Sequence, residues 1–202
     1  MGEEVLSKKT SIDWVAFESL SGEEKETLVE WIYSMDESYY SIFSSDKNKI
    51  YKSITEICMS KLSEFNSTRY FRINKKLLGF LTYYPSEEIF QRRIEGLKIL
   101  MKIAEAKEDV KNKIKILNSP DPVNEKNSLY LSKIYVAKKV RGLGIFRYLI
   151  LDYINSGLIS NQKLILHVSK LEINTINIYK KYKFQLDKVG STSNYYLMRY
   201  HN

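Results

Sequence analysis

Cysteine is almost missing from this chain of 202 residues: Cys58 stands alone. A single thiol excludes an internal disulfide framework and fits a reducing, cytoplasmic setting. Cys58 falls on a helical apolar pattern, so it reads as a core thiol rather than a reactive one. Proline and glycine are scarce, at 3 and 8 residues, which excludes long proline-rich or low-complexity disorder. No apolar run approaches the ~20 residues that a membrane span needs. The start Met1-Gly2-Glu3-Glu4-Val5 lacks the basic stretch and apolar core of a secretory leader. The sequence therefore predicts a cytoplasmic protein with no membrane partner. A shortage of acidic residues, 24 against 32 Lys and Arg, leaves a net charge of +8. The basic residues are spread along the chain and no recognition motif accompanies them, which argues against nucleic acid and suits a polyanionic small ligand.

What is present is a core and an ordered succession of elements. Apolar residues make up 44% of the chain, enough for one sizeable domain. Ser21-Gly22-Glu23-Glu24 reads as a capping box, with Leu28, Trp31 and Ile32 on the helical face that follows. A second helix is predicted over about 47–65, carrying Ile50, Ile54, Ile57, Cys58 and Phe65 on one stripe. Tyr70 to Ile73 and Leu77 to Tyr84 form a hairpin pattern around Asn74-Lys75-Lys76. Phe90, Ile94, Leu97, Met101 and Ala104 repeat at steps of four and three, predicting a helix from Ser86 to about Asp109. That stripe reads first as core, while its place in an insertion also suits a lid or a homodimer contact. Asn118-Ser119-Pro120-Asp121-Pro122 is a loop, and Gly190-Ser191 a turn region. The strand patterns Leu129–Val136, Leu164–Val168 and Tyr195–Tyr200 enclose helical ones at Ile145 to about Asn155 and Ile173 to Tyr182. Such a mixed order predicts an α/β (α+β) sheet with helices on its faces.

The most informative stretch is Lys139-Val140-Arg141-Gly142-Leu143-Gly144, between the Leu129–Val136 strand and the helix beginning at Ile145. Two glycines there allow a tight turn and leave backbone N–H groups uncovered. The helix start adds more N–H groups and the positive end of its dipole. Together they suit an anion such as a phosphate or pyrophosphate. By itself the pattern is equally well a plain turn. No Gly-Lys-Ser/Thr follows, so it is not a P-loop. The third glycine of a dinucleotide fingerprint would fall on Arg147.

The stretch from Ile134 to Phe146 resembles the first signature of the GNAT acyl-CoA-dependent N-acyltransferases, a strand followed by Gln/Arg-x-x-Gly-x-Gly/Ala and a helix. Lys139 stands in the Gln/Arg position, keeping charge but losing a planar fork. The second signature, a strand and then a helix ending in Leu-Tyr-x-x-x-Gly-Phe, is matched by Leu166-His167-Val168 and Ile178-Tyr179-Lys180-Lys181-Tyr182-Lys183-Phe184. Lys183 replaces the usual glycine. Glu172 replaces the usual asparagine, with Asn174 two residues on. The resemblance covers about residues 68–200, and residues 1–67 fit as a preceding helical pair. It implies a single domain over 1–202, built on a mixed, mostly antiparallel twisted sheet flanked by helices. It also implies a helical insertion between the third and fourth strands, at about 86–127.

The resemblance further implies that acetyl-CoA is bound as acyl donor, with an amine as acceptor and no metal. Backbone groups of Ile134, Tyr135 and Val136 would pair with pantetheine. Lys139, Arg141, Gly142, Leu143, Gly144 and Ile145 would hold the pyrophosphate, and Asn174 would contact the cofactor. Tyr179 stands at the general-acid tyrosine, a role that calls for surroundings that lower its phenol pKa. Asn174 also suits a helix cap or plain surface, and Tyr179 a packing aromatic. No base is evident. Ser128 takes the place of a common glutamate, Glu125 lies nearby, and His167 on its strand reads more readily as structural. Tyr39, Tyr40, Phe43, Tyr83 and Tyr84 are either acceptor-pocket walls or ordinary core. The departures at Lys139, Glu172 and Lys183 leave a catalytically inactive CoA-binding or regulatory module as the alternative.

Overall fold

The computed structural model describes residues 12–116, 123, 125–187 and 194–202. The Met1–Val5 start, the Asn118–Pro122 loop and the Gly190-Ser191 turn lie outside them. Contacts divide the chain into two compact units, one of Met1–Trp14, Arg69–Ile89 and Pro120–Asn202, the other of Val15–Thr68 and Phe90–Ser119. The inserted residues thus group with the N-terminal helices. Among the described residues no helix is long and apolar enough to cross a membrane.

The second unit is helical. Helix α1, Gly22–Met35, opens on the capping box: Ser21 accepts from the Glu24 N–H and the Glu24 carboxylate accepts from the Ser21 N–H. Helix α2, Glu37–Tyr40, is a single turn, and α3, Lys47–Met59, is capped by Asp46. Ile50, Ile54, Ile57 and Cys58 are buried on α3, and Phe65 follows in a 3-10 turn at Glu64–Ser67. The stripe expected over 47–65 is therefore real, but its helix ends at Met59. Burial pushes the Cys58 thiol pKa up, with Glu64 adding to it, as a core thiol requires.

The single helix expected from Ser86 to Asp109 is two helices, α4 at Ile89–Met101 and α5 at Lys107–Ile116. Tertiary bonds end the first: the Glu105 N–H donates to Phe43 O at 3.3 Å, and its carboxylate accepts from Ser44 at 2.8 Å. Phe90, first on the expected stripe, is 62% exposed, whereas Ile99 and Leu100 are buried. Hydrogen bonds from Arg92 to Ser63 O and from Ser60 to Glu95 tie α4 to the segment after α3 and set which face is covered.

The first unit is a seven-stranded sheet in the order β1-β2-β3-β4-β5-β7-β6. Its strands are β1 Ile12–Val15, β2 Thr68–Ile73, β3 Lys76–Pro85, β4 Ser128–Val136, β5 Lys163–Ser169, β6 Phe184–Asp187 and β7 Tyr195–Tyr200. Strands β2 and β3 turn through Asn74 and Lys75, with φ of 50° and 63°, the twist that suits a tight hairpin. Pairing is antiparallel for β3/β4, β5/β7 and β6/β7 and parallel for β4/β5. The insertion falls between β3 and β4, as expected. Helix α6, Ile145–Ile159, makes the crossover from β4 to β5, and α7, Ile173–Lys181, links β5 to β6.

One sheet face packs Leu81, Leu129, Leu131, Val136, Leu164, Leu166, Val168 and Met198 with α6 and α7; the other gathers Tyr84, Ile89, Tyr130, Ile165 and Leu197. The apolar residues of β4 change parity along the strand. Leu129 and Leu131 share a face with Ile134 and Val136. The register explains this. Thr82 pairs with Lys133 but Tyr83 pairs with Leu131, leaving Ser132 as the extra residue of a bulge. Gly79 sits opposite Val136 because a Cβ there would stand 2.4 Å from the Tyr135 carbonyl oxygen. Gly79→Ala is therefore expected to cost about 1–3 kcal/mol in denaturant unfolding, since backbone would have to move. An unchanged midpoint would contradict this close approach.

Candidate functional site

The glycine turn is built as the sequence suggests. Lys138–Val140 form a 3-10 turn, and Gly142 and Gly144 both have φ of 83°. Space is open around both glycines, so glycine is required by conformation and not by crowding. Gly144, at the N-cap of α6, supplies no side-chain cap. Among the described residues the N–H groups of Gly142, Gly144, Ile145 and Phe146 find no acceptor. These four donors lie at or just before the dipole end of a 15-residue helix. Lys139, Arg141, Gly142, Leu143 and Gly144 are exposed, while Ile145 anchors the helix in the core. Phe146 was not singled out in the sequence, although a helix start leaves its first four N–H groups open.

The strand leading into this turn parts from its neighbour. Strands β4 and β5 pair from Ser128↔Lys163 to Leu131↔Leu166. Both continue, β4 to Val136 and β5 to Ser169, yet no further pair joins them. The bulge at Ser132 begins where pairing stops, and a bulge bends its strand. On its other side β4 stays in register with β3 up to Val136↔Gly79. The Tyr153 hydroxyl of α6 marks the closed end of the wedge. It accepts from the Ile165 N–H at 3.0 Å and lies 2.8 Å from Leu129 O and 2.9 Å from Ile165 O. Ile134, Tyr135 and Val136 thus lie in the open half, continuous with the glycine turn. The Arg141 Nε donates to Val136 O at 3.1 Å, and its guanidinium carbon lies 5.7 Å from the centre of the Tyr135 ring.

Helix α7 brings Tyr179 to the same region. Its ring is 6.0 Å from Phe146 and 5.8 Å from Phe184, and Tyr179 is only 6% exposed. Its hydroxyl bonds to no described residue and yet is not sealed from solvent. Burial, helped by Tyr130, pushes the phenol pKa above its usual value. The expected lowering is thus not found, because no cation among the described residues offsets desolvation. Asn174 is exposed on the first turn of α7. Glu172 holds the N-cap position and makes no side-chain cap bond there.

The other candidates are drawn elsewhere. Glu125 contacts Lys163 at 2.8 Å and Arg199, which also contacts Asp187. Burial would raise the Glu125 pKa, but Lys163 and Arg199 outweigh it and hold the carboxyl below its usual value. A depressed pKa stabilises the fold above the unfolded value of about 4.3 and loses that stabilisation as pH falls through the folded value. Glu125→Gln is therefore expected to cost about 1 kcal/mol at neutral pH, with the gap to wild type closing below about pH 4. A gap constant with pH in denaturant titrations would contradict this. Ser128 is buried, with its hydroxyl 2.7 Å from that of Ser86 and 2.7 Å from Glu125 O. His167 is the first β5 residue past the last β4 pair, with its ring 5.7 Å from Tyr130. Tyr40, Phe43 and Tyr84 are core residues. Tyr83 bonds Ser156 and Arg69, and Tyr39 stacks on Tyr40 and Phe43. Among the described residues no cluster of three or more His, Cys, Asp or Glu could hold a metal.

Neither a family model nor a curated protein sequence matches the chain. Solved structures do. An N-acetyltransferase from Staphylococcus aureus shares 17% identity at a TM-score of 0.63, covering 94% of this chain and 99% of its own. A GNAT-family acetyltransferase from Listeria monocytogenes shares 11% identity at a TM-score of 0.54, covering 94% and 93%. The chain has the GNAT fold. A PaiA N-acetyltransferase from Thermoplasma acidophilum, solved with coenzyme A, matches at a TM-score of 0.54 and 15% identity over 96% of this chain and 100% of its own. The fold class expected from the two signatures is borne out.

One departure from the GNAT signature has a conformational reading. Lys183, in place of the usual glycine, has φ of 65°, a region that costs a non-glycine residue about 1–2 kcal/mol. Its N–H bonds Lys180 O and its carbonyl accepts from His201, so the turn is held despite the side chain. Lys183→Gly is expected to raise stability by about 0.5 kcal/mol once the added freedom of the unfolded chain is subtracted. A lower melting temperature would contradict that assignment.

Proposed function

We propose that this protein is an acetyl-CoA-dependent N-acetyltransferase acting on a primary amine. One observation carries the reading: the open half of β4 runs without a break into a turn with four unclaimed N–H donors. That continuity suits a ligand with an amide-bearing arm at one end and a pyrophosphate at the other. The arm would lie along Ile134, Tyr135 and Val136, as an added strand does. The pyrophosphate would sit on the N–H groups of Gly142, Gly144, Ile145 and Phe146, with Lys139 and Arg141 supplying charge; Leu143, expected among the donors, already gives its N–H to Val140 O at 3.4 Å. Asn174 would contact the nucleotide end. The CoA-bound structure with the same fold supports this choice of ligand.

In the reaction the neutral amine attacks the thioester carbonyl carbon. The C–N bond forms, the C–S bond breaks, and the electron pair leaves on sulfur. Tyr179 donates its phenolic proton to that thiolate, and the proton released by the amine passes to water. Desolvation raises the phenol pKa, but it also raises that of a thiol brought beside it. The raised value keeps Tyr179 protonated at neutral pH, as an acid must be.

Thiol release from acetyl-CoA across a panel of small amines, polyamines and peptide N-termini tests the reading. Turnover with at least one class is expected. CoA binding without turnover on any amine would instead favour an inactive CoA-binding module.

A further inference from the structure

Lys183 keeps a side chain at a φ of 65°, where glycine would be free of strain. Backbone held at such a cost clusters where function uses it, and the Lys183 side chain has a setting of its own. It lines an open cavity of about 630 Å³ together with Lys180 and His201, a size suited to a small organic ligand. Backbone hydrogen bonds gather the three basic residues there. The Lys183 N–H donates to Lys180 O at 3.1 Å, and the His201 N–H donates to Lys183 O at 3.0 Å. One cation thus comes from the last turn of α7, one from the turn after it, and one from just past β7. No Asp or Glu lines the cavity. Among the described residues the side chains of Lys180, Lys183 and His201 have no bonding partner. Like charges gathered without an acid repel one another, and an anion between them removes that repulsion. Gln185 adds an amide, while Phe184 and the 40%-exposed Leu186 add an apolar wall.

The geometry points to a second anion site, one that takes the phosphate group of a small organic ligand. Lys180, Lys183 and His201 donate to the phosphate oxygens when charged, and Leu186 covers the organic body. A dianion matches several converging cations better than a single carboxylate does. The site shares no residue with the glycine turn and does not depend on the acyl-CoA reading.

The chain has two histidines, His167 and His201, so their ring protons separate the cavity from the rest of the protein. The test is NMR titration with phenyl phosphate at constant pH and ionic strength. His201 is expected to shift saturably, with a midpoint in the millimolar range, while His167 stays in place. Lys183→Gly is expected to raise the midpoint about fivefold, the size of one exposed charge pair. That change relieves backbone strain, so weaker binding cannot be ascribed to unfolding. Phenol, the same ring without the charge, is expected to give no saturable shift. Gly144→Val, which alters the other anion seat, is expected to leave the His201 midpoint within about twofold. A His201 shift that does not saturate, that phenol reproduces, or that Lys183→Gly leaves unchanged would overturn the site. A midpoint that follows Gly144→Val would assign the response to the glycine turn and overturn it equally. Failure of CoA to bind leaves the His201 result standing, so the two readings fail separately.

Discussion

Replacing Tyr179 by phenylalanine is expected to lower turnover about 10²-fold while acetyl-CoA affinity stays within about twofold. The ring is held between Phe146 and Phe184, and phenylalanine keeps both contacts. The hydroxyl bonds to no described residue, so removing it leaves no protein partner stranded and the melting temperature is expected to hold. A loss confined to turnover therefore points to proton donation, whereas a packing aromatic would give no loss at all. Turnover equal to wild type would remove the acid assignment.

Gly144→Val is expected to weaken CoA binding by 10²-fold or more, on the order of 2.7 kcal/mol. A φ of 83° at this residue is severely strained for a β-branched side chain. The backbone would relax away from it and reorient the N–H groups of Gly144, Ile145 and Phe146. Stability is expected to fall by about 1–2 kcal/mol as well. Since α6 is anchored by Ile145, Leu149, Ile150 and Tyr153, the helix itself survives the change. A folded Gly144→Val protein with unchanged CoA affinity would contradict the donor turn as the pyrophosphate seat.

Much of this was legible in the residues. The capping box, the buried stripe of α3 and the strand-turn-helix at Lys139–Gly144 all follow from spacing and local chemistry. The bulge at Ser132 was legible as well, but missed: Leu129 and Leu131 fall on odd positions and Ile134 and Val136 on even ones, a parity change that only an extra residue allows. The parting of β4 from β5 was not, because it depends on a parallel partner some thirty residues away. The end of α4 at Met101 depends on Glu105 bonding to Phe43 and Ser44, which periodicity within the helix cannot register. The direction of the Tyr179 shift depends on how tightly Phe146, Phe184 and their neighbours exclude water, a property of the packed state alone.

Those missed features are what turn a generic anion turn into a two-part site. The glycines alone provide donors; the open end of β4 provides a place for the arm that an acyl-CoA carries beyond its phosphates. Isothermal titration with acetyl-CoA tests that union most directly. The account predicts saturable binding with one site per chain that Gly144→Val weakens by about 10²-fold or more. No heat of binding at high micromolar acetyl-CoA in the wild-type protein would contradict it.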